Sequence, residues 1–283
     1  MVTEPSKQAT PATAPARSYL FVPGDRPERF DKALSSAADR VVIDLEDAVA
    51  PANKALARAA LQERLDRASV DERRRIVVRI NDEQTAYFDD DLALLQHAQA
   101  AEVMLPKCER PNSVARLRAA CPGIAVLALI ESARGVLAAP TLAAAPGVQR
   151  LVFGTVDFAL EMDLSGDPAG FDFASAQLAL ASRAAGIAAP VAGVTTAIDD
   201  EALLLTELAR ARAHGFSAKL CIHPRQVAVV HAALAPSAAE LDWARRVIAA
   251  SAAAQGAALQ LDGRMVDKPL LLRAQALLAR AMA

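Results

Sequence analysis

The stretch IAVLALIESARG, residues 124–135, decides the fold. Its first seven residues are all apolar, which suits a strand buried on both faces, as in a parallel sheet covered by helices. The run stops at a carboxylate, Glu131. A charge just beyond a buried strand is costly unless something pairs with it.

The same pattern repeats on either side. SYLFV (18–22), RVVIDL (40–45), RIVVRI (75–80) and EVMLP (102–106) precede it as strand candidates, and RLVFG (150–154), APVAGV (189–194) and AKLCI (218–222) follow. Helix-patterned stretches alternate with them: 26–37, 53–68, 88–100, 111–120, 172–186 and 199–215. The last has an acidic first turn and Gly215 as its C-cap. Eight strands alternating with helices predict a closed (β/α)₈ TIM barrel of α/β class over residues 17–235. An open doubly wound sheet is the alternative, weakened because no GxGxxG or GxxxxGK[ST] follows the first strand. Residues 236–283 add a C-terminal helical extension that a barrel does not need. It is expected to cover the barrel mouth or to dock on a neighbouring subunit. Residues 1–16, rich in Pro, Thr and Ala, read as a disordered lead-in with no signal-peptide core.

Bulk properties narrow the partners. Of 283 residues, 53% are hydrophobic and 23% charged, with net charge −2. Nothing there favours a nucleic-acid or acidic-membrane partner. The densest basic spot, DERRR (71–75), reads as a solvated helix end or loop, and FDDD (88–91) as a helix start. Three cysteines (Cys108, Cys121, Cys221) without CxxC spacing fit reduced thiols in the cytoplasm. The four histidines show no metal-binding spacing, and no apolar run could span a membrane.

A barrel places its active site at the C-terminal strand ends and in the loops just after them. Glu46 and Asp47 follow strand two, Arg79 ends strand three, and Lys107 follows strand four. Glu131 follows strand five, Asp157 strand six, and His223 strand eight. Glu131 and Asp157 lie one βα unit apart, so adjacent strands bring them together. Two adjacent carboxylates repel unless a proton or cation intervenes, and oxygen donors without His or Cys suit Mg²⁺. The alternative is that Glu131 pairs with Arg134 and Asp157 caps a turn. Arg79 between apolar neighbours needs anionic partners: a substrate carboxylate, a developing enolate, or structurally Glu46 or Asp47. Backbone N–H groups of Gly154 and Thr155 could grip a small carboxylate. His223 precedes Pro224 and is read as ordering its loop. Trp243 is read as core or interface.

Beyond these features, RSYLFVPGDRPERFDKALSSAADRVVIDLEDAVAPANKALAR, VVRIN, VMLPKCE, LIESARGV, LVFGTVDFALEMD, KLCIHPRQV and GRMVDKPLLLRAQ follow one another in the order found in a known family. The chain resembles the citrate lyase β-subunit-like proteins, among them malyl-CoA and citramalyl-CoA lyases, within the HpcH/HpaI aldolases. The resemblance spans about residues 17 to 280. It implies a cytoplasmic, Mg²⁺-dependent (or Mn²⁺-dependent) lyase that cleaves a 3-hydroxyacyl-CoA to a 2-keto acid and acetyl-CoA, or runs the reverse condensation. It places Glu131 and Asp157 as metal ligands, Arg79 facing the thioester carbonyl, and Gly154 and Thr155 at the keto-acid carboxylate. Arg17 falls where the family contacts the acyl carrier, and Glu46 and Asp47 on acids that hold metal-bound water. Asp267 matches a C-terminal acid that reaches a neighbouring subunit's site and protonates the enolate, which implies a homotrimer or hexamer. A citryl-ACP lyase β subunit, with an ACP partner, and a thioester-free 4-hydroxy-2-keto acid aldolase are the rival readings.

Overall fold

In the computed structural model, residues 15–253 and 259–282 are described. Eight parallel strands close into a barrel in sequence order: β1 (Ser18–Pro23), β2 (Arg40–Asp44), β3 (Ile76–Arg79), β4 (Glu102–Leu105), β5 (Ala125–Ile130), β6 (Val148–Phe153), β7 (Ala188–Ala192) and β8 (Ala218–Cys221). β1 pairs with both β2 and β8, which closes the ring. The helices in the barrel are α1 (Phe30–Leu34), α2 (Lys54–Arg67), α3 (Val70–Arg75), α4 (Phe88–Ala98), α5 (Pro111–Ala120), α6 (Ala133–Ala143), α7 (Thr155–Glu161), α8 (Asp172–Ala184), α9 (Glu201–Ala213) and α10 (Pro224–Leu234). Ala16–Ala233 form one compact unit and the described residues from Leu234 onward a second.

Alternation along the strands sorts side chains into two layers. Tyr19, Val42, Val77, Met104, Leu127, Leu129, Val152, Val191, Ala218 and Leu220 fill the interior as one cluster. Their neighbours face outward against the helices, where Leu61 and Leu65 of α2 and Leu95 of α4 are fully buried. Two steps beyond an interior residue the side chain again faces inward, now at the C-terminal rim. Val42 leads to Asp44, Val77 to Arg79, Leu129 to Glu131 and Val152 to Gly154. The strand pairing sets Asp44 directly beside Arg79.

The opposite end of the barrel is closed by Arg150, 2% exposed. Its guanidinium donates to Ala16 O (2.6 Å), Ala189 O (2.5 Å) and Ser217 Oγ (2.6 Å). Of the lead-in expected over residues 1–16, residues 1–14 lie outside the described residues. Ala16, however, is buried in the barrel interior, so that expectation ran too far. α1 is also shorter than expected: Pro27 starts a 3-10 turn (Pro27–Arg29), and the α-helix begins only at Phe30. DERRR and FDDD do fall in helices, α3 and the start of α4. The three cysteines are buried and free.

The C-terminal unit comprises α11 (Ala238–Ala253), a hairpin of β9 (Leu259–Leu261) with β10 (Arg264–Val266), and α12 (Lys268–Met282). Ala244, Val247, Val266, Ala274 and Leu277 form its core, with Trp243 packed against it. The hairpin interrupts what was expected as a helical extension. No helix among the described residues is long and apolar enough to cross a membrane.

Candidate active site

The C-terminal rim of the barrel holds a cavity of about 270 Å³, lined by Phe21, Asp44, Asp47, Ala48, Arg79, Leu129, Glu131, Gly154, Thr155, Val156, Asp157, Val194, Leu220 and Ile222. Glu46 and Lys107 stand at its edge. Arg79 is the hub. Its Nε and Nη2 donate to Asp44 Oδ1 (2.7 Å) and Oδ2 (2.6 Å), a bidentate fork. Its Nη1 lies 3.1 Å from Glu46 Oε2 and 3.9 Å from Asp47 Oδ2. The guanidinium also sits 4.9 Å from the Phe21 ring centroid. Burial works against its charge, but the hydrogen bonds and charges of Asp44, Glu46 and Glu131 more than offset this and raise its pKa.

Asp44 was missed in the sequence reading, which offered a substrate carboxylate, a developing enolate or, structurally, Glu46 or Asp47 as the partner of Arg79. The signal was present. Asp44 ends a strand, two residues after interior Val42, and is 1% exposed. Its carboxylate also accepts from the N–H groups of Glu46 (2.9 Å) and Ala48 (3.0 Å), so it folds the loop after β2 over the rim.

Glu131 is buried beside this hub. Its Oε2 accepts the Lys107 backbone N–H at 2.9 Å. Lys107 itself has φ +46, a left-handed conformation that is strained for a non-glycine residue. Its ammonium donates to Glu46 Oε1 at 2.9 Å. Burial opposes that ammonium's charge, but the Glu46 hydrogen bond together with the charges of Glu46, Asp47 and Glu131 outweighs it and pushes the Lys107 pKa up to about 12. Arg134, the alternative partner for Glu131, instead pairs with Glu109 at 3.4 Å. Burial, then the charge of Glu46, pushes the Glu131 carboxyl up to about 8, with Asp157 adding to the rise.

Asp157 lies in the first turn of α7, where Gly154 is the N-cap and no side chain caps the helix. It therefore does not play the capping role that was the alternative for it. The next residue, Phe158, anchors α7 by packing edge-on to Phe153 (5.2 Å between centroids) and against Phe171. This holds Asp157 at the cavity wall.

Gly154 plays a different part from the expected one. Its N–H is committed to Ile130 O at 2.8 Å, so it cannot grip a ligand carboxylate. The N–H groups of the first turn of α7, from Thr155 on, have no intrahelical acceptor and remain suited to that task. What Gly154 provides is space: a Cβ there would lie 2.8 Å from Glu131 Oε1 and closer still to its Cγ. The Gly154→Ala chain is expected to fold normally but to push Glu131 aside. Calorimetry should then show Mg²⁺ affinity weakened at least about tenfold, within the range for disturbing a ligand's support.

The pair Glu131 and Asp157 fits an oxygen-preferring divalent cation. Glu131 is held away from water with excess negative charge around it, and Glu46 Oε2 is a buried oxygen without a hydrogen bond. Among the described residues no group of three or more His, Cys, Asp or Glu side chains is arranged to hold a metal. Two carboxylates leave the other positions to water and substrate, as Mg²⁺ tolerates.

The remaining expected residues lie elsewhere. Arg17 precedes β1, at the opposite end of the barrel, about 20 Å away for a six-residue strand. There its N–H donates to Asp39 Oδ2 at 2.6 Å. Exposed cations that do follow the C-terminal end of β1 include Arg26 and Arg29. His223 Nδ1 accepts the Arg225 N–H at 3.2 Å, which orders the loop into α10. Asp267 belongs to the C-terminal unit, where it accepts the Leu270 N–H at 3.2 Å at the start of α12.

Comparison with known proteins adds to this geometry. Residues 17–224 match the family model described as HpcH/HpaI aldolase/citrate lyase, and residues 176–283 match one described as a C–C bond lyase of the TIM-barrel fold. A citrate lyase subunit beta-like protein of Mycobacterium tuberculosis is 41% identical over 271 residues, covering 93% of this chain and 94% of that protein. A (3S)-malyl-CoA thioesterase of Cereibacter sphaeroides is 36% identical over 275 residues, covering 95% of each. The crystal structure of the M. tuberculosis protein CitE with magnesium, acetoacetate and coenzyme A has TM-score 0.85 and 38% identity, covering 95% of this chain and 99% of that one.

Proposed function

The chain belongs to the HpcH/HpaI aldolase/citrate lyase family, and from that premise we propose that it cleaves a 3-hydroxyacyl-CoA of the malyl-CoA or citramalyl-CoA type. The products are a 2-keto acid and acetyl-CoA, and the reverse condensation uses the same site. The observation that carries this reading is the buried Glu131 carboxylate set between Gly154 and the Arg79–Asp44 fork, with Asp157 on the same cavity wall. Glu131 and Asp157 would hold Mg²⁺, or Mn²⁺ on the same donors. When bound, the ion supplies Lewis-acid polarisation and a template for the keto-acid oxygens. The related CitE structure with magnesium, acetoacetate and coenzyme A supports this assignment.

The chain's own groups divide the rest of the work. N–H groups at the start of α7, from Thr155 on, meet the keto-acid carboxylate. The substrate hydroxyl gives its proton to solvent water, the carbon–carbon bond breaks, and that bond's electrons pass to the thioester carbonyl as an enolate. Arg79 has five N–H donors. The Asp44 fork uses two, which leaves Nη1 and Nη2 able to bind the enolate oxygen. Asp267 of a second copy, in a trimer or hexamer, would protonate the enolate carbon. On the carrier side, Arg26 and Arg29 suit the phosphates of CoA. Arg17, expected there, faces the other end of the barrel.

The cavity wall favours this reading over a citryl thioester. Phe21, Leu129, Val194, Leu220 and Ile222 are apolar, and the positive charge among the lining residues is Arg79, already forked to Asp44. A second carboxylate on the keto acid would meet more acids than bases there. The thioester-free aldolase reading needs a histidine base, and His223 is engaged with its own loop.

The test offers malyl-CoA, citramalyl-CoA and citryl-CoA to the full chain, with Mg²⁺ or with EDTA. Metal-dependent release of glyoxylate or pyruvate is expected. Preferential cleavage of citryl-CoA would move the chain to the citrate lyase reading, and cleavage of none would remove the CoA-lyase reading.

A further inference from the structure

Outside the cavity, the loop that carries Glu46 and Asp47 is pinned from behind by a buried ammonium. Lys54, the first residue of α2, is 7% exposed. Its Nζ donates to Leu45 O, Glu46 O and Asn81 Oδ1, each at 2.7 Å. An ammonium has three donors, so Lys54 is saturated and has none left for a ligand. Whatever it does, it does through the groups it holds.

Two of those groups are the carbonyls of the peptides on either side of residue 46 as the chain leaves β2. Gripping residues 45 and 46 together fixes the backbone from which the Glu46 side chain projects. The third, Asn81, stands two residues beyond Arg79. Its N–H and Nδ2 both donate to Asp91 Oδ2 (2.8 and 2.7 Å), and Asp91 Oδ1 receives Arg58 Nη1 (3.0 Å). A continuous chain, half-buried at Arg58 and buried from Asp91 through Asn81 to Lys54, thus ties the rims of β2 and β3 to α2 and α4. The Tyr87 ring covers the ammonium at 5.4 Å.

Stability alone does not ask for this arrangement. A buried ion and its partners can be replaced together by hydrophobic side chains at little or no cost in many folds, so such an ion is weak evidence of a stabilising role. What the ammonium adds is a defined position. Glu46 is where position matters, because it bridges two cations. Its Oε1 binds Lys107, and its Oε2 lies 3.1 Å from Arg79 without hydrogen-bond geometry. A shift of about half an ångström is enough to spoil such a constellation.

We propose that Lys54 is a positioning residue: by clamping the peptides around Glu46 it sets the Glu46 carboxylate between Arg79 and Lys107. Its catalytic consequence rests on the lyase reading, whereas its geometry does not. The test uses the full-length Lys54→Met chain, with Asn81→Ala as a gentler variant should the first fail to fold. A crystal structure of the variant is expected to show Glu46 Oε1 withdrawn beyond hydrogen-bond distance from Lys107 Nζ. On the best thioester, kcat is expected to fall about thirtyfold, as for other residues that orient a site, with KM changed less than threefold. The Lys54→Met, Glu46→Gln double variant should then be no slower than Glu46→Gln alone, since one residue acts through the other. Glu46 unmoved in a folded variant, or losses that add in the double variant, would overturn the proposal. If the wild-type chain cleaves no thioester, the lyase reading falls, and the crystal structure of the variant still decides for or against the clamp.

Discussion

Glu131→Gln is expected to abolish metal binding and lower turnover by about a thousandfold or more, since even residues that merely support a metal ligand cost ten- to a hundredfold. Calorimetry with Mg²⁺ and kcat on the preferred thioester measure the two effects. Stability should change in the opposite sense in the metal-free chain. Burial first, and the charges of Glu46 and Asp157 after it, push the folded Glu131 carboxyl up to about 8 from an ordinary value of 4.5. Between those two pH values the folded chain binds one more proton at this site than the unfolded chain does. Stability therefore falls as pH rises through that window, and above it the full penalty of the buried anion remains. Glutamine carries no such anion. In EDTA at pH 9 the variant should unfold at a higher urea concentration than wild type, and the gap should close toward pH 4. Added Mg²⁺ narrows that gap. At one hundred times its Kd, the ion stabilises wild type by about 2.7 kcal/mol and the variant by nothing. Equal Mg²⁺ stabilisation of both chains would remove Glu131 from the metal site.

The sequence made the barrel legible because its strands are short apolar runs of one kind, each followed by a helical period. It made Glu131, Asp157 and Arg79 legible because a parallel barrel gathers the ends of its strands at one rim. The side of the sheet that each residue faces was harder to read. Asp44 belongs to the rim only because Val42 faces inward, and no single strand reveals which of its two faces is interior. Arg17 is next to a strand, but at the wrong end of it. β6 starts at Val148 rather than at 150; exposed Gln149 interrupts the apolar pattern and hid those two residues, whereas Arg150 points into the barrel as its plug. The hairpin in the C-terminal unit was signalled after all. Asp262 and Gly263 both have positive φ (+50 and +74), the turn that an Asp-Gly pair between short strands favours. No local signal announces the left-handed Lys107, because only the acceptor waiting on Glu131 selects it.

Arg79→Lys is expected to lower kcat by about 10² to 10³, the range for losing one preorganised donor to a developing oxyanion, with a smaller change in KM. Lysine keeps a positive charge but cannot span both oxygens of Asp44 while offering further N–H groups to the enolate. Arg79→Met separates the structural from the chemical share. It strands Asp44, 1% exposed, without its cation, and such a loss costs about 3–5 kcal/mol. Urea unfolding of the three chains, with kcat and KM for each, distinguishes the two contributions. If Arg79 acts on the enolate, the lysine variant loses turnover out of proportion to its stability, because the residual charge supports the fold better than the reaction. If it only braces the rim, Arg79→Lys should keep kcat within a few fold of wild type wherever the fold survives. An Asp44→Asn, Arg79→Lys chain then tells whether the fork itself matters. Without the anion the lysine is free to turn toward the cavity, and recovered turnover would mean that Asp44 directs Arg79 rather than merely neutralising it.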